Sequence, residues 1–181
     1  MLKSVSIIAE GERLGFCRTD ARFSIGFSYD VPASVRQPKR VSALLDIVDT
    51  LAGPIAEIRQ RHGALGPWFG MAPALEAMLA SLDTAEPIAD FDVCAVKARW
   101  LGQPLTILTA AWGVALALVC REWAGIEAVG RVLRERGELD GDAFEAAWLP
   151  RRPSPERRAA FDAKQGGGSF DDMLAGLLAL A

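Results

Sequence analysis

His62 is the one histidine in the chain, and it stands in Arg59-Gln60-Arg61-His62-Gly63 with no second imidazole to join it. A metal site needs partners at fixed spacing; beside two arginines and ahead of a glycine, His62 instead reads as a cation in a helix's last turn, where it complements the negative dipole end. The thiols are as isolated. Cys17, Cys94 and Cys120 lie far apart without a Cys-x-x-Cys pair, a usage that suits free thiols in a reducing cytoplasm rather than a disulfide framework. Cys94 follows Asp90 and Asp92 but has no imidazole to take its proton, so those carboxylates are expected to cap or solvate a helix start. No Gly-x-x-x-x-Gly-Lys-Ser/Thr loop cradles a phosphate; Gly11 and Gly15 read as turn glycines. A net charge of −3 and a pI near 5.3 leave no basic footprint for nucleic acid. Trp100, Trp112, Trp123 and Trp148 are spaced as core anchors rather than as a stacking platform. No catalytic residue is predicted.

The elements that would position such groups are mostly helices. With 181 residues, 51% of them hydrophobic, the chain is long enough for one well-filled domain. Its first thirty residues carry β-patterns. Val5, Ile7 and Ile8, the turn Glu10-Gly11-Glu12, then Leu14 and Phe16 read as a hairpin. Phe23, Ile25, Phe27 and Tyr29 alternate with small or polar residues, the mark of a strand with one buried face. Pro32 and Pro38 should end the extended pattern. Val41, Leu44, Leu45, Val48, Leu51, Ala52, Ile55 and Ile58 then form one helical stripe, which Gly53-Pro54 should kink or split. A Gly- and Pro-rich loop over 63–73 precedes a short helix through Leu75, Met78, Leu79 and Leu82. The strongest helical signal runs from Pro104 to Arg136 and stops at Gly137. Asp140 should cap a further helix, with Leu139 and Phe144 at the hydrophobic-staple spacing. The composition predicts an α+β chain, mainly α-helical, with a small N-terminal hairpin followed by a helical bundle over 1–149. A flexible linker follows over 150–168, where arginines, prolines and Gly166-Gly167-Gly168 gather. A short amphipathic helix closes the chain over 169–181, capped by Ser169.

One segment imitates a membrane span. Leu105 to Cys120 holds sixteen residues without a formal charge, short of the ~20 that cross a bilayer, and Arg121-Glu122 ends it. A buried core helix is the expectation, with a membrane-associated protein as the competing reading.

Taken in order, these segments resemble the C-terminal peptidase domain of the FtsH-type ATP-dependent zinc metalloproteases. Val5-Ser6-Ile7-Ile8, Glu10-Gly11 and Leu14-Gly15-Phe16 are similar to the family's Val-(Thr/Ser)-Ile-Ile, Pro-Arg-Gly and Ala-Leu-Gly segment. Leu44 to Gly53 with Ile55-Ala56-Glu57 looks like the helix holding the family's Gly-Gly-Arg-Ala-Ala-Glu core. Ile107 to Trp112, through Leu139-Asp140-Gly141, looks like its last long helix and Leu-Asp-Gly cap. The resemblance spans roughly residues 4 to 148 and rests on structural motifs rather than chemical ones.

What the resemblance implies about chemistry is chiefly negative. The family binds zinc through a His-Glu-x-x-His helix, whose glutamate activates the metal-bound water, and through a downstream aspartate. In the family that helix lies just ahead of the Val-Ser-Ile-Ile segment, and neither it nor the ATPase module is in this sequence. Alignment on Gly70 puts Ala74 at the third-ligand position, leaving Glu76 as the nearest carboxylate that could be recruited. No zinc and no other cofactor is therefore expected. The resulting expectation is a non-catalytic relative of a proteolytic machine, cytoplasmic, acting by binding or assembly with itself or with a full-length FtsH-type protease. Phe170, Met173, Leu174 and Leu177 would serve as one face of a docking helix, unless that helix folds back on its own domain. The competing enzymatic expectation is that the chain is the C-terminal part of a working zinc peptidase; an in-frame His-Glu-x-x-His upstream in the coding DNA would favour it.

Overall fold

The computed structural model describes residues 2–6, 16–19, 33–64, 70–83, 89–165 and 169–181. Among them the chain is mostly helical. Seven α-helices follow in order: α1 (Ala33–His62), α2 (Met71–Ala80), α3 (Asp90–Leu101), α4 (Pro104–Arg136), α5 (Gly141–Trp148), α6 (Pro155–Gln165) and α7 (Phe170–Leu178). Three short strands, β1 (Leu2–Ser6), β2 (Phe16–Thr19) and β3 (Glu138–Asp140), pair antiparallel in the order β2-β1-β3, with Val5 opposite Cys17 on one side and Leu139 on the other. The turn expected at 10–12 and the alternating run at 23–29 lie outside the described residues.

Two compact units divide the chain. One comprises Met1–Ser24 with Glu122–Arg158, the other Ile25–Arg121 with Ala159–Ala181. The division therefore falls within α4 and α6.

The core of the second unit follows from the helical stripes. On α1, Ala43, Leu44, Ile47, Val48, Leu51 and Ile55 are buried, at the three- and four-residue steps that make one apolar face. Leu45, counted in that stripe from the sequence, is 40% exposed, because it falls one position off the buried ridge. The helix is not split at Pro54: α1 runs through both Pro38 and Pro54 for 30 residues. Proline removes only one ladder bond, and burial of Leu51 and Ile55 on either side of Pro54 holds the helix together where local propensity alone would not.

Gly70 precedes α2 with φ 72°, a left-handed conformation that disfavours any Cβ. A Cβ there would also stand 3.3 Å from Ile58 Cδ1 and 3.7 Å from Trp112 Cζ2. The backbone passes close over the core at this point, and Ala74 and Met78 of α2 are buried just beyond it.

Helix α4 keeps the predicted limits. Pro104 suits a first-turn position, where its missing N–H costs nothing, and Gly137 takes φ 78° and donates its N–H to Leu133 O at 2.8 Å, an αL-type stop. Residues 111–117 are buried without a break. After β3, which three residues could not announce by periodicity, the Asp140 carboxylate accepts the Ala143 N–H at 2.8 Å and starts α5.

The stretch expected to be a flexible linker is largely structured. Leu149–Arg151 form a 3-10 turn, and α6 occupies eleven residues of the segment. Pro155 opens α6 and Ser154 Oγ accepts the Arg157 N–H at 3.4 Å. Serine followed by proline and glutamate is a helix start, and in this segment it outweighs the disorder-prone composition.

Candidate functional site

The positions singled out for metal chemistry do not converge. His62 is exposed in the last turn of α1, alongside Arg59 and Arg61. Ala74 is buried on α2 while Glu76, two residues on, is exposed, as a 100° step per residue requires. Among the described residues no group of three or more His, Cys, Asp or Glu side chains is placed to hold a metal ion.

Cys94 lies in the seam between α1 and α3. Its Sγ is buried and sits 3.8 Å from Ile47 O. Burial pushes its pKa up to about 12, with Lys97 pulling it down and Asp90 adding to the rise. A thiolate is the nucleophilic form, so this sulfur is held in its inert form. One turn further along α3, Lys97 Nζ reaches Asp46 Oδ2 at 3.2 Å and joins α3 to α1. Burial, then the neighbouring Asp46, raise the Asp49 pKa, and Lys97 opposes the rise. Asp92 Oδ2 accepts the Ala89 N–H at 3.1 Å, the capping duty expected of that pair of aspartates. Of the four tryptophans named as anchors, Trp112 is fully buried and Trp100, Trp123 and Trp148 are half-buried.

The most convergent polar arrangement involves a residue that sequence reasoning passed over. Arg40, on α1, donates through Nη2 to Leu101 O at 3.0 Å and to Leu180 O at 3.3 Å, and through Nε to the backbone oxygen of Ala181. One guanidinium thus ties α1 to the last residue of α3 and to the end of the α7 segment. Its planar fork of donors suits this task. Nothing local distinguishes Arg40 from Arg36 or Lys39 in the sequence; the three acceptors lie 61 to 141 residues away, and only the fold brings them together.

The face expected to dock is occupied by its own unit. Leu177 is 1% exposed, and Phe170, Met173 and Leu174 are half-buried. Met173 Cε lies 3.4 Å from where a Cβ on Gly113 would stand, and Arg121 of α4 covers the Phe170 ring at 4.1 Å from its centre. The helix itself is capped as the sequence indicates: Ser169 Oγ accepts the Asp172 N–H at 3.1 Å and Asp172 Oδ2 accepts the Ser169 N–H at 3.1 Å, a reciprocal box.

Comparison of the chain with protein-family models, with curated proteins and with solved structures finds no match.

Proposed function

We propose that this chain is a non-catalytic relative of the FtsH-type peptidase domain, working in a reducing cytoplasm by protein binding or assembly, with itself or with a full-length protease of that type. The observation that carries the reading is the Leu139-Asp140-Gly141 stretch, one of the segments on which the resemblance rests. Its residues are used mechanically: Leu139 is buried, and Asp140 caps α5 immediately after α4 closes on Gly137. The polar groups inside the second unit serve the same end, with Arg40 and Lys97 fastening one helix to the next. Ala74, on which the alignment at Gly70 sets the family's third ligand, has a side chain that cannot bind a metal, and it is buried.

Metal analysis and a casein-hydrolysis assay on the purified chain test this directly. We expect no stoichiometric zinc, no hydrolysis when zinc is added, and co-elution with itself or with an FtsH-type protease on size-exclusion chromatography. One tightly held equivalent of zinc, or zinc-dependent hydrolysis, overturns the non-catalytic reading. A monomer that ignores the protease overturns the assembly.

A further inference from the structure

Trp112 is fully buried on α4, yet its Nε1 has no hydrogen-bond partner among the described residues. A buried indole N–H ordinarily finds an acceptor, so this one marks a place where an acceptor is received. Gly70 identifies the place. Of the Trp112 atoms, Cζ2 comes nearest to where a Gly70 Cβ would stand, at 3.7 Å. Cζ2 lies two bonds from Nε1 around the indole, so the N–H end of the ring is the end nearest Gly70.

Gly70 precedes α2, and no side chain caps that helix. Its ladder begins with the Ala74 N–H donating to Gly70 O at 3.3 Å. Pro73 has no N–H, which leaves the Met71 and Ala72 amides without an acceptor inside the helix. Gly70 is left-handed, with φ 72°, and the helix that follows is right-handed, a succession that turns neighbouring amides toward one concave side. The surrounding charge leans positive. The first turn of α2 holds no acidic residue. Ile58, whose Cδ1 comes within 3.3 Å of the same Gly70 position, leads directly into the basic last turn of α1, with Arg59, Arg61 and His62. Glu57 and Glu76, the carboxylates nearest along the chain, are exposed, and Arg61 engages Glu57 at 3.1 Å.

We propose that the Trp112 indole N–H and the N-terminus of α2 together bind a small oxyanion, a carboxylate or a phosphate group. The donor set selects the class. Each group offered is an N–H, so the occupant must accept from all of them and donate to none. An ionised oxyanion does so, with the positive end of the helix dipole in its favour, whereas a water would leave its own protons unplaced. The site goes beyond the proposed binding or assembly role and stands whether or not the chain is kin to the peptidases.

The indole N–H reports on its own site. The full chain is isotope-labelled for amide and indole NMR; of its five tryptophans, Trp112 gives the indole resonance that disappears in Trp112→Phe. Inorganic phosphate and acetate are titrated separately, with sodium chloride holding the ionic strength constant. We expect the Trp112 resonance and the Met71 and Ala72 amides to shift saturably with at least one anion, and the anion that saturates at the lower concentration names the group. Trp112→Phe should weaken that binding, read from the two amides, by about tenfold or more, the scale of one hydrogen bond to a charged acceptor. Because phenylalanine leaves a gap in the core, a second variant carries benzothienylalanine in place of Trp112, the same shape with sulfur for the N–H, and should lose the same affinity. A Trp112 resonance unmoved by both anions overturns the proposal, as does equal movement with chloride alone. A lasting cross-peak from that N–H to water, without an anion response, puts a water there instead. Unchanged affinity in the benzothienylalanine chain removes Trp112 from the site and the proposal with it.

Discussion

Cys94 illustrates how a reactive residue type is spent on packing. Its thiol is neutral in the folded chain well beyond the point at which an exposed thiol ionises, since burial lifts it from an ordinary 9.0 to about 12. Below pH 9 both folded and unfolded forms hold the proton and the shift costs the folded state nothing. Between pH 9 and 12 the unfolded chain releases the proton and the folded one keeps it, so stability must fall as pH rises, by about 1.4 kcal/mol per pH unit. The difference in unfolding free energy between the wild type and Cys94→Ala, followed by urea titration from pH 8 to 11, should shrink at that slope; a flat difference would mean water reaches the sulfur. Gly125 is a second residue whose role is steric. A Cβ there would lie 2.8 Å from Trp148 Cε3 and within 3.1 Å of two more ring carbons, and the ring is itself stacked on Phe144 at 5.9 Å. Gly125→Ala should destabilise by about 1–3 kcal/mol through overpacking. In a Trp148→Ala background the sign should reverse, with a gain of about 0.5–1 kcal/mol from the better helix former. Thermal melts of the four proteins decide it, and a loss in both backgrounds would place the strain elsewhere.

The ends of helices were the most legible elements, because they are written in single residues with local causes. Pro104, Gly137, Asp140 and Ser169 each mark a boundary that the structure keeps. Asp140→Ala should therefore cost about 1 kcal/mol, the usual worth of an N-cap, while Asp140→Asn should cost far less, since its amide oxygen can accept the same Ala143 N–H; equal losses, read from urea midpoints, would show the charge matters and the cap does not. Interiors were harder to read. Gly53-Pro54 reads as a kink or split because proline weakens a helix in isolation, yet α1 continues through it unsplit, and the reason is tertiary: the buried face from Ala43 to Ile55 crosses that step. The segment over 150–168 erred in the opposite sense, as charge and proline suggested a linker where Ser154-Pro155-Glu156 starts a helix. The face of α7 was legible as apolar, but what covers it was not, since Arg40, Gly113 and Arg121 carry no mark of that duty along the sequence. The same holds for the candidate site: the meeting of Arg40 with Leu101, Leu180 and Ala181 is a property of the fold.

At the scale of the whole molecule the open question is what surrounds α4. The helix is long and apolar enough to cross a membrane, and half of its most apolar window is buried within the protein. A membrane span and a core helix share composition but differ in what fills the space around them. Lipid yields to a larger side chain, and leucine is favoured over alanine at the centre of a span. A packed interior has no such room, and extra methylenes cost about 1–3 kcal/mol. Ala115 lies in the middle of the uninterrupted buried run and is 0% exposed. With Ile107, Leu108, Trp112 and Val119 also buried on the same helix, the surroundings of Ala115 are protein. Ala115→Leu should therefore lower the melting temperature by several degrees, at 4–8 °C per kcal/mol for a small unit and less for a larger one. The wild-type chain should remain in the supernatant after carbonate extraction. Retention in the membrane pellet, with Ala115→Leu neutral or stabilising, would mean that lipid packs against α4.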